Sequence, residues 1–207
     1  MGKYLGSTCR LARREKTDLF LKARGRRSLE SKCRFQSVPG QHAGKSAKRS
    51  EYYLQLREKQ KVKRIYGVRE EQFRRLYNMA SSSKQSTGYK LLELLERRLD
   101  NVVYRMGVAA TRAEARQLVS HRAVLVNGKI LNIPSFTVEA GDQVTLTERG
   151  KQQERVRDAF KLCADIGFPS WIDINEQNLT GSIKKYPERA DIYLDIKEQL
   201  IVELYSR

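Results

Sequence analysis

Asn127-Gly128 sits between Val124-Leu125-Val126 and Lys129-Ile130-Leu131, and no other stretch of this chain narrows its conformation as far. A two-residue hairpin loop of the favoured class needs positive φ at both central residues, which Asn and Gly adopt at the least steric cost. Two antiparallel strands are therefore expected to meet there. Upstream, Thr111 followed three residues later by Glu114 forms a capping box, which starts a helix whose inner stripe is Ala115, Leu118 and Val119. Before it, Leu91, Leu92, Leu95, Leu99, Val102, Val103 and Met106 fall within an arc of about 120° at roughly 100° per residue. That spacing predicts one amphipathic helix from Tyr89 to Met106. Phe136 to Val138 and Val144 to Leu146, separated by Gly141-Asp142, add short strands. The stretch from Tyr89 to Leu146 thus reads as a helix pair packed on a small, mostly antiparallel sheet.

Basic residues fall on the sides that the apolar stripes leave free. Arg98 and Arg105 lie outside the first stripe, seven residues apart and so on one side of that helix. Arg112 and Arg116 are i,i+4 neighbours on the outer side of the next helix. Arg112 also occupies its first turn, where the helix dipole disfavours a cation. A bound phosphate would remove that conflict by accepting from the exposed N–H groups and the arginine together; the alternative is an exposed arginine tolerated beside Glu114. Lys129 leaves the hairpin turn within reach of a phosphate. Asp100, set among bases, reads as an ion-pair tether with no catalytic role.

The composition agrees with a polyanionic partner: Lys and Arg outnumber Asp and Glu by 41 to 24, for a net charge of +17. RNA, DNA or an anionic membrane surface each satisfies that balance. The membrane reading loses ground because no run approaches the roughly 18 apolar residues of a span. The start MGKYLGSTCR also lacks a secretory core, and a myristoylation motif would need Ser or Thr where Gly6 stands. Net charge is +11 over residues 1–50, +5 over 51–97, +3 over 98–160 and −2 over 161–207. The N-terminal half is the electrostatic anchor, and the C-terminal part is suited to packing on protein.

Residues 1–50 scatter short apolar pieces among glycines and bases, and predict one short helix near Arg10 to Lys16 followed by loops. They read either as a solvated tail or as loops pinned to a core or partner by Tyr4, Phe20, Phe35 and Val38. Ser50 is a helix N-cap, and the basic helix after it stops near Gly67. Its bases Arg57, Lys59, Lys61, Lys63 and Arg64 have no acid nearby in sequence except Glu58, so their mutual repulsion favours an RNA partner over plain solvation. A second helix is expected over Arg69 to Met79. Downstream, a charged helix spans roughly Gln152 to Asp165, Trp171 to Ile174 and Leu179 to Ile183 read as strands, and Asp195 with Glu198 forms a second capping box for a helix ending near Tyr205. Trp171 is read as a core or docking residue. Cys9, Cys33 and Cys163 form neither a paired framework nor a CxxC motif, so no disulfide is predicted and a reducing cytosol is the natural setting. No ligand cluster for a metal, no phosphate-binding glycine loop and no convincing acid and base pair is present, and His42 reads as a loop histidine.

With PGQH at 39–42, LREKQKVKRIYGV at 56–68, ERRLDNVVYRMG at 96–107, TRAEARQLVSHRAVLVNGK at 111–129 and the terminal LIVELYSR, the chain closely resembles the bacterial S-four family of small-subunit ribosomal proteins over essentially its whole length. The two central blocks carry an RNA-binding module also found in some RNA-modifying enzymes and synthetases; the flanking blocks make the resemblance specific. It implies a cytoplasmic constituent of the small subunit, monomeric there, that binds the 5′ domain of 16S ribosomal RNA and nucleates assembly of the body. It further implies an interface with protein S-five that affects decoding accuracy. Lys45, Lys48 and Arg49 would face incoming mRNA beside proteins S-three and S-five, and translational repression of the chain's own operon is an added possibility. The candidate RNA contacts are Arg13, Arg14, Arg57, Lys59, Lys61, Lys63, Arg64, Arg98, Arg105, Arg112, Arg116, Gln117, His121, Arg122 and Lys129. One branch of the family binds zinc through four cysteines; here position 12 is Ala and only Cys9 and Cys33 precede Cys163, so zinc is predicted absent. No cofactor is expected.

The expected fold is α+β: a basic extension over 1–48, a helical subdomain over 49–97, the RNA-binding module over 98–160, and a segment over 161–207 packing back on the helical subdomain. The competing reading is an RNA-modifying enzyme that uses the same module to find its substrate. Such enzymes append a catalytic domain, for which this chain offers only a basic lobe and a short acidic tail.

Overall fold

The computed structural model describes residues 4–23, 33–34, 37–41, 50–192 and 195–206. The chain divides into two units, Met1–Gly88 with Leu194–Arg207, and Tyr89–Tyr193. In the first unit α1 (Thr8–Glu15), α2 (Glu51–Ile65), α3 (Glu70–Ser81) and α9 (Glu198–Tyr205) come together. Ser50 caps α2 as its spacing predicts, its hydroxyl accepting from the Tyr53 N–H at 3.2 Å. Leu19, Val62, Ile65, Tyr66, Phe73 and Ile201 are buried in this unit. Tyr205 of α9 stacks on Tyr77 with ring centroids 4.5 Å apart. Of the expected loop anchors, Tyr4 and Phe20 are exposed and Val38 is half-buried, while Leu19 beside Phe20 is buried; Phe35 lies outside the described residues.

Three expectations for this unit are corrected. Cys9 and Cys33, read as unpaired, lie side by side with Cα atoms 6.1 Å apart, within the span of a disulfide. Their separation by 24 residues hid a proximity that Arg13 and Arg14 create by donating to Ser37 and Pro39. The second capping box does not form: α9 starts after Lys197 with no side-chain cap, and the Lys197 N–H instead donates to Glu58 at 2.9 Å. The segment after residue 160 is shared, since α9 packs with α2 while residues 172–183 supply two strands to the other unit's sheet.

Glu70, at the start of α3, accepts from Lys59 at 2.6 Å, Lys63 at 2.8 Å and the Tyr205 hydroxyl at 2.8 Å. Burial alone would raise its carboxyl, but these donors outweigh burial and hold it down at about 2. The same bond pushes the Tyr205 phenol up, after burial. A carboxylate depressed on folding contributes stability that is complete above its unfolded value and is lost as pH falls towards its folded one. Between pH 4.5 and about 2, the urea midpoint of the wild-type chain is therefore expected to fall more steeply than that of Glu70→Gln; parallel curves would show the clamp to be without energetic weight.

The second unit holds α4 (Thr87–Glu96) from Tyr89 onward, α5 (Leu99–Arg105), α6 (Arg112–Ser120), α7 (Glu148–Lys151) and α8 (Glu154–Ile166). Its antiparallel sheet runs in the order β2-β1-β3-β5-β4, from β1 (Val124–Val126), β2 (Lys129–Ile130), β3 (Gln143–Leu146), β4 (Ile172–Asn175) and β5 (Thr180–Ile183). The hairpin is as its sequence requires, with Asn127 at φ 49° and Gly128 at φ 77°. Trp171 is 1% exposed and belongs to the core with Val102, Val124, Val144 and Leu146. At Gly107, φ is +81° and a Cβ would lie 2.6 Å from that of Cys163, so α5 can close against α8 only with glycine there.

The single helix expected over Tyr89 to Met106 is two. Arg98 is extended (φ −64°, ψ 137°) and bridges Thr137. Leu99 and Asp100 donate their N–H groups to the carbonyls of Phe136 and Pro134 at 2.8 and 3.1 Å, and Val138 donates to Arg97 at 2.9 Å. Residues 134–138 thus spend their backbone groups on the helix break, which is why Phe136 to Val138 is no sheet strand. Among the described residues no helix is long and apolar enough to cross a membrane, and no group of three or more His, Cys, Asp or Glu is placed to hold a metal.

Candidate nucleic-acid interface

The helix break turns the expected outward arginines inward. Arg98 donates to Asp100 through Nε at 3.1 Å and Nη2 at 2.9 Å, and Arg116 donates to the same carboxylate through Nε at 2.9 Å and Nη2 at 2.6 Å. Asp100 is accordingly the tether its position suggests, with a side chain only 4% exposed. Beside it, Glu96 is fully buried and accepts from the Asn101 amide at 2.6 Å and from Arg105 at 2.9 and 2.7 Å. Asn101 in turn accepts from Arg112 Nε at 2.8 Å, and the Arg112 guanidinium lies 4.5 Å from the centre of the Tyr104 ring. Two readings are corrected. Arg98 and Arg105 share no helix face, because Arg98 is itself the extended residue at the break and precedes the helix that carries Arg105. Arg112, 8% exposed, is not the exposed cation of the alternative reading; the Tyr104 ring and Asn101 meet its guanidinium from within.

What remains on the outside is a short path from α6 to the hairpin. Ala113, Gln117 and His121 follow one another at i,i+4 and are exposed. Thr111 caps the helix by accepting from the Glu114 N–H at 3.2 Å, while Glu114 reaches back to the N–H of Ala110 at 2.9 Å. The helix ends with Arg122 at φ 59°, after which the Ala123 N–H returns to the Leu118 carbonyl at 3.0 Å and β1 begins. That left-handed residue sits at the junction, and its side chain is exposed. Lys129 is exposed one residue beyond the turn. Among the described residues the side chains of Gln117, His121, Arg122 and Lys129 make no hydrogen bond or ion pair. Arg116, 19% exposed, borders this path under the hold of Asp100.

The bases of α2 are not the unopposed row that sequence spacing suggests. Glu15 of α1 accepts from Arg57 at 3.2 Å and from Arg64. Lys59 and Lys63 share Glu70, and Lys61 bonds Glu58 at 3.3 Å and the Asp195 carbonyl. The acids come from distant positions, so the premise that only Glu58 is near is overturned, and repulsion among these bases is no argument for RNA. Arg13 donates to the Ser37 carbonyl at 2.9 Å and hydroxyl at 2.7 Å, and Arg14 to the Pro39 carbonyl at 3.2 Å. Both secure the loop after α1. Lys45, Lys48, Arg49 and His42 lie outside the described residues. Sequence reasoning missed the carboxylates Glu15, Glu70 and Glu96 that gather the cations, because no helical spacing links them to their partners.

Residues 3–96 match the family model described as the ribosomal protein S4/S9 N-terminal domain, and residues 97–144 match the S4 domain. Proteins named small ribosomal subunit protein uS4 are 56% identical in Neisseria meningitidis, 55% in Thioalkalivibrio sulfidiphilus and 54% in Chromobacterium violaceum, each over 207 residues and the full length of both chains.

Proposed function

The chain belongs to the S4 family of small-subunit ribosomal proteins, and from that premise we propose that it is a structural, non-catalytic RNA-binding constituent of the small ribosomal subunit in the cytoplasm. It binds the 5′ domain of 16S ribosomal RNA and holds helices at a junction by their phosphates, reading shape more than sequence. The observation that carries this reading is the exposed path of Gln117, His121, Arg122 and Lys129, whose side chains the protein leaves to an outside partner while it ties most neighbouring arginines to its own carboxylates. The wider role is nucleation of the subunit body, with contacts to proteins S-five and S-three, an influence on decoding accuracy, and Lys45, Lys48 and Arg49 beside incoming mRNA. Repression of its own message would use the same RNA-binding surface. The relatives are named as a subunit protein and not as an RNA-modifying enzyme, which supports the structural role over the catalytic one.

Binding of this kind is largely electrostatic and falls with salt at a slope of about −0.9 per phosphate engaged on duplex-like RNA. Arg122→Ala with Lys129→Ala is expected to flatten the slope by roughly two, with the melting temperature unchanged because both side chains are exposed and unengaged. Filter binding to a transcript of the 5′ domain across a salt series, with thermal unfolding alongside, checks it. Unchanged affinity and slope would move the interface elsewhere.

A further inference from the structure

Helix α1 carries one carboxylate, Glu15, and its side chain is only 2% exposed. Arg57 and Arg64, seven residues apart and so on one side of α2, both donate Nη1 to its Oε1. Each of the two side chains keeps 23% of its surface in solvent, so the pair is held at Glu15 and is still in part within reach of a ligand. Arg14 acts electrostatically on both Glu15 and Arg64. The other acid felt by Glu15 is Glu58, which already accepts from Lys61 and the Lys197 N–H. Three arginines thus gather round one buried carboxylate. Burial lowers the Arg64 pKa, and Arg57 and Arg14 lower it further against the pull of Glu15.

One arginine would suffice to staple α1 to α2, and a second on the same oxygen adds repulsion. Two guanidiniums converging on one point, each side chain partly in solvent, form an arrangement suited to the several oxygens of a phosphate. We propose that Glu15 is a positioning residue for RNA binding, its buried carboxylate holding Arg57 and Arg64 as a two-guanidinium fork for a backbone phosphate; this rests on reading the chain as an RNA-binding protein. The fork is ordered before RNA arrives, so little side-chain freedom is lost on binding.

The test exploits a sign. Glu15→Gln removes a negative charge from a protein that binds a polyanion, so general electrostatics expects tighter binding; loss of the fork expects weaker binding. On the intact chain, with the 5′-domain transcript as probe, Glu15→Gln is expected to bind about tenfold more weakly at roughly 0.1 M salt, with a slope shallower by one to two. In an Arg57→Gln, Arg64→Gln background the same change is expected to weaken binding no further. Equal or tighter binding by Glu15→Gln overturns the proposal, as does an equal weakening in both backgrounds, which a purely structural role produces. Should Glu15→Gln not fold, Arg57→Lys with Arg64→Lys keeps both charges without the forks, and wild-type affinity in that variant overturns the proposal too. A wild-type chain that does not bind the transcript removes the RNA-binding reading itself, and the proposal with it.

Discussion

Asp100→Asn destabilises the unit formed by Tyr89–Tyr193 by about 3–5 kcal/mol, the range found when one partner of a buried ion pair is removed. The carboxylate is 4% exposed and serves two arginines, of which Arg98 is itself only 4% exposed. The amide that replaces it accepts weakly at one oxygen and brings donors towards cations that have nothing to accept with. Arg98 cannot escape to water without breaking the bridge to Thr137 and the bonds that Leu99 and Asp100 make to Phe136 and Pro134. At 2–4 °C per kcal/mol for a chain of this size, the melting temperature should fall by about 10 °C. Thermal and urea unfolding followed by circular dichroism measure it, with Lys129→Ala as the variant expected to change nothing. A loss below about 1 kcal/mol would class Asp100 with ordinary surface pairs, which are worth that or less.

The sequence was most legible where one residue type answers one local requirement. Asn127-Gly128 has few alternatives to a tight hairpin, Ser50 and Thr111 cap helices because their hydroxyls satisfy free N–H groups, and both features are in the structure. It was least legible where the requirement is tertiary. The apolar stripe over Tyr89 to Met106 keeps its period across Arg98, yet the helix breaks there because residues 134–138 offer carbonyls and an N–H to a gap in the helical ladder. No local pattern announces that offer. The site suffered from the same blindness. A free arginine and one bound to a distant partner look alike in sequence, and nothing local sets Arg105, Arg112 and Arg116, which bond Glu96, Asn101 and Asp100, apart from Lys129. Arg57 and Arg64 read in sequence only as two of five bases on one helix; no local spacing supplies Glu15 beneath them.

Removing residues 1–48 is expected to weaken binding to the 5′-domain transcript by at least about a hundredfold at roughly 0.15 M salt, while the unit of Tyr89–Tyr193 still folds. Residues 1–48 hold 13 basic and 3 acidic residues in a chain whose net charge is +17. If five of those bases engage phosphates, their loss flattens the salt slope by about 4.5. The deletion also takes away Glu15, which releases Arg57 and Arg64 from the carboxylate that gathers them. The exposed path from Gln117 to Lys129 stays intact in the shortened chain, because its helix cap, its left-handed junction and its hairpin are all made by residues after 110. Two outcomes therefore separate cleanly. A shortened chain that binds more weakly with a shallower slope, and keeps the folding transition of its second unit, makes the N-terminal half the electrostatic anchor and the module its partner on the same RNA. A shortened chain that binds within about threefold of the full one, at the same slope, would leave the module to grip the RNA alone, since charge that engages no phosphate releases no counterions and adds little to affinity.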